Sequence, residues 1–447
     1  MRPHARRAPS FRFLVAALFL TAILASPGAA ASGPGPVRET LPNGLRVIVV
    51  PDPLAPVVTT QMNYLVGSDE APDGFPGTAH ALEHMMFRGS PGLSADQLNA
   101  ILAGLGGDSN ASTSQTVTRY YLTVPADALD VALRIEATRM RAVLCTEELW
   151  KKERGAIEQE VASDLSNPEY LFYTRLLGGM FEGTPYAHDA LGTRPSFQRT
   201  TGAMLRRFHE TWYAPNNAVL IIAGDVDPGR ALAIVRKEFG AIPSRPVPAR
   251  PKISLRPLKA SSIAMDTDLP YGLAVVAWRL PGFDNPDYAA GQVLVDALQS
   301  RRGSLYALVA NGEALSFDIE GNVLPAGAIG YAVAAFPKGG DGPRLVRRMK
   351  EVVDADLRDG IPAELVEASK RHEIADAQFR KNSVEGLASS WSDAVAAEGR
   401  QSPDDDIEAI RRVTPDDVNR VAREYLVNDN AVVAVLTPRP SGKPVAA

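Results

Sequence analysis

The chain has 447 residues, room for two to four domains at roughly 100–200 residues each. Hydrophobic residues make up 45% and charged residues 22%, which excludes a fibrous or disordered chain. A single cysteine, Cys145, excludes a disulfide framework and a thiolate metal cluster.

Residues 1–31 read as a secretory signal. Arg2, Arg6, Arg7 and Arg12 form a basic start with no acidic residue, Phe13 to Ala25 is nearly unbroken apolar sequence, and Ala29-Ala30-Ala31 is a small-residue cleavage site. The apolar run is shorter than the ~20 residues a membrane helix needs, so the expectation is export, to a bacterial periplasm, with no membrane association after cleavage. Removing those four arginines from the 47 basic residues leaves 43 against 52 acidic ones, a net charge near −9. That balance argues against nucleic acid or an anionic membrane as the main partner.

Leu41-Pro-Asn-Gly-Leu45 reads as a turn into a β-rich strand at Arg46–Val50, with a second strand through Val57–Val66. Helical periodicity covers roughly 78–88, 94–105, 127–143 and 146–165, and the Thr-, Tyr- and Val-rich stretch from Asn110 to Val124 reads as strand. Elements mixed in this way predict α+β layers rather than a parallel βαβ series. Five prolines between Pro243 and Pro257 predict an extended, semi-rigid linker. The two halves echo each other weakly. Tyr213 is followed by Asn217-Ala-Val-Leu220 and Tyr425 by Asn430-Ala-Val-Val433, each before an apolar strand. The expectation is two related α+β domains, at 32–242 and 258–447, joined by a linker at 243–257.

The strongest chemical signal is His80-Ala-Leu-Glu83-His84. On a helix, residues four apart share a face, so both histidines can hold one metal ion with Glu83 beside it. This is H-x-x-E-H, the reverse of the commoner zinc-protease order. A catalytic zinc takes a third protein ligand, and the acidic helical stretch from Glu147 to Asp164 is where to search for it. Glu153 and Glu160 both lie on its Ile157 face, and spacing does not choose between them. His188, His209 and His372 read as structural or surface residues.

These motifs, together with Leu41–Leu45, Gly106-Gly107…Asn110-Ala111 and Tyr213-Ala-Pro-Asn-Asn-Ala218, resemble the inverted zincins of the pitrilysin and mitochondrial processing peptidase type over most of residues 37–240. In that family the third ligand follows the second histidine by about 76 residues, which lands on Glu160. The resemblance implies one zinc ion held by His80, His84 and Glu160, Glu83 as the catalytic base, and Glu153 supporting the site. The implied activity is zinc-dependent endopeptidase, acting on peptides or small unfolded proteins. The segment from Gly106 to Thr113 reads as a turn entering a polar strand whose edge can accept an extended peptide. The resemblance places Asn110 and Ala111 along that peptide.

The second half departs from the pattern. Active members carry an arginine and, about eleven residues later, a tyrosine that reach the substrate; here Ser304 and Leu315 occupy those places. Neither side chain supplies a cationic or phenolic donor, and losing one oxyanion donor commonly costs ~10²–10³-fold in rate. The resemblance therefore implies the zinc-bearing half of a heterodimer, with a homologous subunit supplying the arginine and tyrosine. A homodimer, or a zinc-binding scaffold without turnover, is the competing expectation.

Overall fold

The computed structural model describes residues 35–250 and 252–439. The segment read as a signal, residues 1–31, lies outside them. Among the described residues no helix is long and apolar enough to cross a membrane.

Two sheets organise the chain. The first contains β1 (Val37–Thr40), β2 (Arg46–Pro51), β3 (Val57–Tyr64), β4 (Asp108–Thr113), β5 (Thr118–Pro125) and β6 (Ala218–Gly224), in the order β1-β2-β6-β3-β5-β4. The second contains β7 (Ser261–Thr267), β8 (Tyr271–Leu280), β9 (Ser316–Leu324), β10 (Gly327–Pro337) and β11 (Val432–Pro438), in the order β9-β10-β8-β11-β7. Reversed and without β1, the first order matches the second strand for strand. In each sheet the last strand in chain order, β6 or β11, runs parallel to one neighbour and antiparallel to the other. The weak Tyr…Asn-Ala-Val echo marks this repeat, since it leads into β6 and β11 after helices Gly202–Trp212 and Pro415–Tyr425.

The stretch read as one strand, 110–124, is a hairpin. Ser114 to Val117 turn β4 into β5, with Ser114 N donating to Val117 O at 2.9 Å. No glycine or proline marks this turn; the Ser114 hydroxyl closes it by accepting from Val117 N at 3.1 Å.

The helices that matter for the site are α1 (Thr78–Met85), α2 (Glu147–Ser166) and α3 (Pro168–Met180), with α4 (Tyr288–Gln299), α5 (Ala363–Arg380) and α6 (Val384–Ser392) in corresponding places of the second half. Two of them are exchanged. The apolar stripe of α3, with Phe172, Leu176, Leu177 and Met180, packs on the second sheet against Leu273, Val275 and Ala277. Its counterpart α6 places Ala388 and Trp391 on the first sheet against Ile48, Val50, Val219 and Ile221. Each buried side chain of this size removes roughly 1.5–3 kcal/mol of exposed apolar cost. The exchange thus ties each half's stability to the other. Between the sheets, residues 243–250 and 252–260 carry no helix or strand. This segment is pinned to the first half, because Arg250 pairs with Glu70 at 2.8 Å and also donates to Thr116 O at 2.9 Å.

Beside that pair, burial and then the neighbouring Glu70 push the Asp69 carboxyl up to about 7, against the pull of Arg250. A folded-state pKa above the unfolded one stabilises the fold fully below about pH 4, and the contribution is lost as pH rises through about 7. Asp69→Asn should therefore narrow the loss of stability between pH 5 and pH 8 by roughly 1–2 kcal/mol, measured by urea unfolding at both values.

Candidate metal centre

Helix α1 presents both histidines because its other positions are core. Ala79, Ala81, Leu82 and Met85 are fully buried, so the helix is held by its apolar residues and His80 and His84 project from one side. Thr78 Oγ1 donates to Phe75 O at 2.7 Å and secures the first turn. The residue before the helix, Gly77, has φ +85° and lies against Gly192, also with positive φ. A Cβ on Gly77 would stand 2.7 Å from the Gly192 Cα, so only glycines let the 189–192 loop approach this closely. That approach brings the Leu191 carbonyl to His80 Nδ1 at 3.1 Å.

On α2, Trp150, Glu153, Ile157 and Val161 form the buried stripe. Thr146 caps the helix by accepting from Leu149 N at 3.2 Å, and Trp150 Nε1 donates to Thr200 O at 2.7 Å. Glu160 sits beside this stripe with its side chain 44% exposed. The structure brings His80, His84 and Glu160 together, with one donor atom from each within 4.8 Å of the others. His84 Nε2 is 3.2 Å from His80 Nε2 and 3.3 Å from Glu160 Oε2, and His80 Nε2 is 3.6 Å from Glu160 Oε1.

Glu153 takes the other side of His84. Its Oε1 is 2.8 Å from His84 Nδ1, and its second oxygen pairs with Arg88. Burial would raise the Glu153 pKa, but the hydrogen bonds from His84 and Arg88 hold it below the ordinary value. Both Nδ1 atoms thus face acceptors and carry the ring protons, which leaves both Nε2 lone pairs pointing at one spot. Two such lone pairs 3.2 Å apart repel unless a cation lies between them. Ligands at ~2.0–2.1 Å from a tetrahedral zinc stand roughly 3.3–3.4 Å apart, so the donor set fits a zinc ion.

Glu83 faces the same cleft but is held differently. Its Oε2 accepts from Thr113 Oγ1 at 2.5 Å, at the end of edge strand β4. Burial raises the Glu83 pKa, opposed by that hydrogen bond and by the two histidines. Burial would lower the His80 pKa, yet Glu160, Glu83 and the Leu191 carbonyl raise it; His80 in turn lowers that of Glu160. This acid-rich surrounding favours a cation at the convergence point.

The cleft measures about 330 Å³ and is walled by His80, Glu83, Glu160, the end of β4 from Ala111 to Thr113, and residues 189–191. Ala111 therefore lines it. Asn110 lies exposed on the same strand, its Oδ1 accepting from Ala111 N at 2.8 Å, and is not in the wall. The remaining histidines among the described residues stand apart. His209 is buried with Nε2 2.9 Å from Arg139 O, His188 is exposed, and His372 is 2.8 Å from Asp296 in the second half. Sequence reasoning missed Arg88, Thr113 and the Leu191 carbonyl. Arg88 is legible in retrospect, four residues after His84; Thr113 lies within the segment singled out for peptide binding. In the second half, Ser304 donates to Asp356 and Leu315 is 57% exposed.

A two-sheet α+β fold with an H-x-x-E-H helix facing an edge strand defines an inverted-zincin type of metallohydrolase. The chain belongs to peptidase family M16: residues 46–194 match the model described as insulinase (peptidase family M16), and residues 200–372 match the peptidase M16 inactive domain. It is 28% identical over 270 residues to the zinc protease PqqE of Helicobacter pylori, covering 59% of this chain and 60% of that one. An uncharacterized zinc protease of Mycobacterium bovis is 28% identical over 440 residues, 93% of this chain and 96% of its own. The fold also matches the crystal structure of a protease from Helicobacter pylori, with TM-score 0.82 and 24% identity over 91% of this chain and all of that one.

Zinc affinity, read by chelator competition, should separate the glutamates of α2. Glu160→Gln should lose stoichiometric zinc, and Glu153→Gln should bind it about 10–100-fold more weakly. Glu158→Gln, whose carboxylate pairs with Arg194 at 3.3 Å, should bind as the parent does.

Proposed function

We propose that the chain is an exported zinc-dependent endopeptidase acting on peptides or small unfolded proteins, in which His80, His84 and Glu160 hold the metal and Glu83 is the base. The observation that carries this reading is the Glu83 carboxylate, fixed by Thr113 beside three convergent donors and beside an open strand edge. A zinc ion at that point would supply Lewis acidity to a water and to the scissile carbonyl.

The chain's own residues would then act as follows. The free edge of β4 aligns an extended peptide by main-chain hydrogen bonds, with Ala111 in the cleft wall and Asn110 next to it. Glu83 takes a proton as water oxygen bonds to the carbonyl carbon, and returns it to the amide nitrogen as the C–N bond breaks. Thr113 keeps the carboxylate turned to the cleft throughout. Glu153, with Arg88, holds His84 in one tautomer and orientation.

Ser304 and Leu315 supply no cationic or phenolic donor to the carbonyl oxygen. On this ground we favour a heterodimer in which a homologous subunit brings an arginine and a tyrosine, with a homodimer as the alternative. The same observation supports a second reading, a zinc-binding scaffold without turnover. The buried, hydrogen-bonded Glu83 weighs against it, since metal retention alone needs no base.

Hydrolysis of a quenched fluorescent peptide library by the zinc-loaded chain tests the proposal. Glu83→Gln should keep its zinc and lose activity by on the order of 10²–10⁴-fold. Undiminished turnover in that variant would rule out Glu83 as the base. A zinc-loaded chain silent alone but active with a companion subunit would support the heterodimer; silence in its presence would favour the scaffold.

A further inference from the structure

The two metal-facing histidines are held unequally. His84 Nδ1 meets a carboxylate directly, whereas His80 Nδ1 meets only the Leu191 carbonyl, at 3.1 Å. A carbonyl points where its planar peptide unit is turned, so whatever fixes Leu191 fixes the His80 ring. Leu191 is pinned at both ends. After it, Gly192 has φ +84° and packs on Gly77; a Cβ at Gly192 would stand 2.5 Å from the Gly77 Cα. Before it stands Asp189, whose Oδ1 accepts from Leu191 N at 3.2 Å and closes the loop from its own side.

Asp189 is held in turn. Its second oxygen accepts from the Tyr170 phenol. Burial, and then the bond to Asp189, raise the Tyr170 pKa, so the phenol stays a donor. A loop cap needs only the bond to Leu191 N; the bond from Tyr170 reaches a helix 19 residues away in sequence. That helix is α3, and Tyr170 stands two residues before Phe172, the first member of the stripe packed on the second sheet. A carboxylate accepting from both a phenol and a backbone N–H grips them more firmly than a neutral acceptor does. Hydrogen bonds therefore run without a break from α3 through Tyr170, Asp189 and Leu191 to His80. Asp189 also belongs, with Ala190 and Leu191, to the wall of the metal cleft.

We propose that Asp189 is a positioning residue for the metal centre: bridging Tyr170 and the Leu191 amide, it fixes the carbonyl that orients His80 and couples zinc affinity to the seating of α3 on the second sheet. Glu153 thus supports one ring directly, and Asp189 supports the other through a single residue of backbone. The proposal rests on the reading of His80, His84 and Glu160 as zinc ligands.

Chelator competition for zinc, with the visible spectrum of the cobalt(II)-substituted protein, tests it on the full chain. Asp189→Ala should bind zinc about 10-fold more weakly, and its cobalt form should show a shifted, weaker band because one imidazole has lost its orientation. Asp189→Asn keeps an oxygen for Leu191 N and should recover to within about threefold of the parent. Tyr170→Phe removes one hydroxyl, leaves the packing of α3 in place, and should weaken zinc about 2–10-fold. Parent zinc affinity and cobalt spectrum in Asp189→Ala would overturn the proposal, even where urea unfolding of the zinc-free variant shows lost stability, since that combination marks a loop cap. Parent affinity in Tyr170→Phe would overturn the coupling to α3. Glu160→Gln is the control for the ligand reading. If it binds zinc as the parent does, the ligand assignment fails and the proposal with it; if it loses zinc while Asp189→Ala does not, the positioning role alone fails.

Discussion

The centre depends on what holds the far nitrogens of two imidazole rings. A backbone carbonyl at His80 Nδ1 and a buried carboxylate at His84 Nδ1 decide the tautomers, and only then do both Nε2 lone pairs meet. Each holder has its own structural requirement. The Leu191 carbonyl reaches His80 because Gly77 and Gly192 pack backbone to backbone, and Glu153 stays charged at 3% exposure because Arg88 and His84 both donate to it. Loss of either support would free a ring to rotate without removing a ligand.

The rigidity behind this geometry comes from the exchange of helices. Helix α3 begins directly after α2, which carries Glu153 and Glu160, and its apolar stripe is anchored on the second sheet. Helix α6 returns the arrangement by covering the first sheet behind β2 and β6. The position of Glu160 relative to α1 is therefore set partly by the packing of the other half. Separating the two halves would expose both apolar stripes to water, so similarity of the two halves does not make them independent folding units.

Much of this was legible in the sequence, and the limits have physical causes. The two histidines were readable because helical spacing alone puts them on one face. Glu153 and Glu160 were not separable by period, since both border the Ile157 stripe; what separates them is depth, with Glu153 inside the stripe and Glu160 at its margin. The family spacing pointed to Glu160, and it is the Glu160 carboxylate that lies within 4.8 Å of a ring nitrogen of both His80 and His84. The hairpin at 114–117 carries no glycine or proline, and its turn is held instead by Ser114, whose hydroxyl donates to Val117 O at 3.0 Å and accepts from Val117 N at 3.1 Å. The Leu191 carbonyl had no signature at all, since every residue carries one and only tertiary packing selects it. The exchange of α3 and α6 was equally hidden, because an apolar stripe states that it must be covered and not by what.

The two halves have diverged in a way the repeat makes readable. In the first, α1 and α2 converge on a donor cluster; in the second, the corresponding α4 and α5 meet through Asp296 and the exposed His372. Among the described residues only the first pair assembles a group able to hold a metal. The second sheet has an open, acid-lined face beside α3, with Leu315 exposed at its margin. The cores of both halves lie in the sheets and their covering helices rather than in the donor cluster.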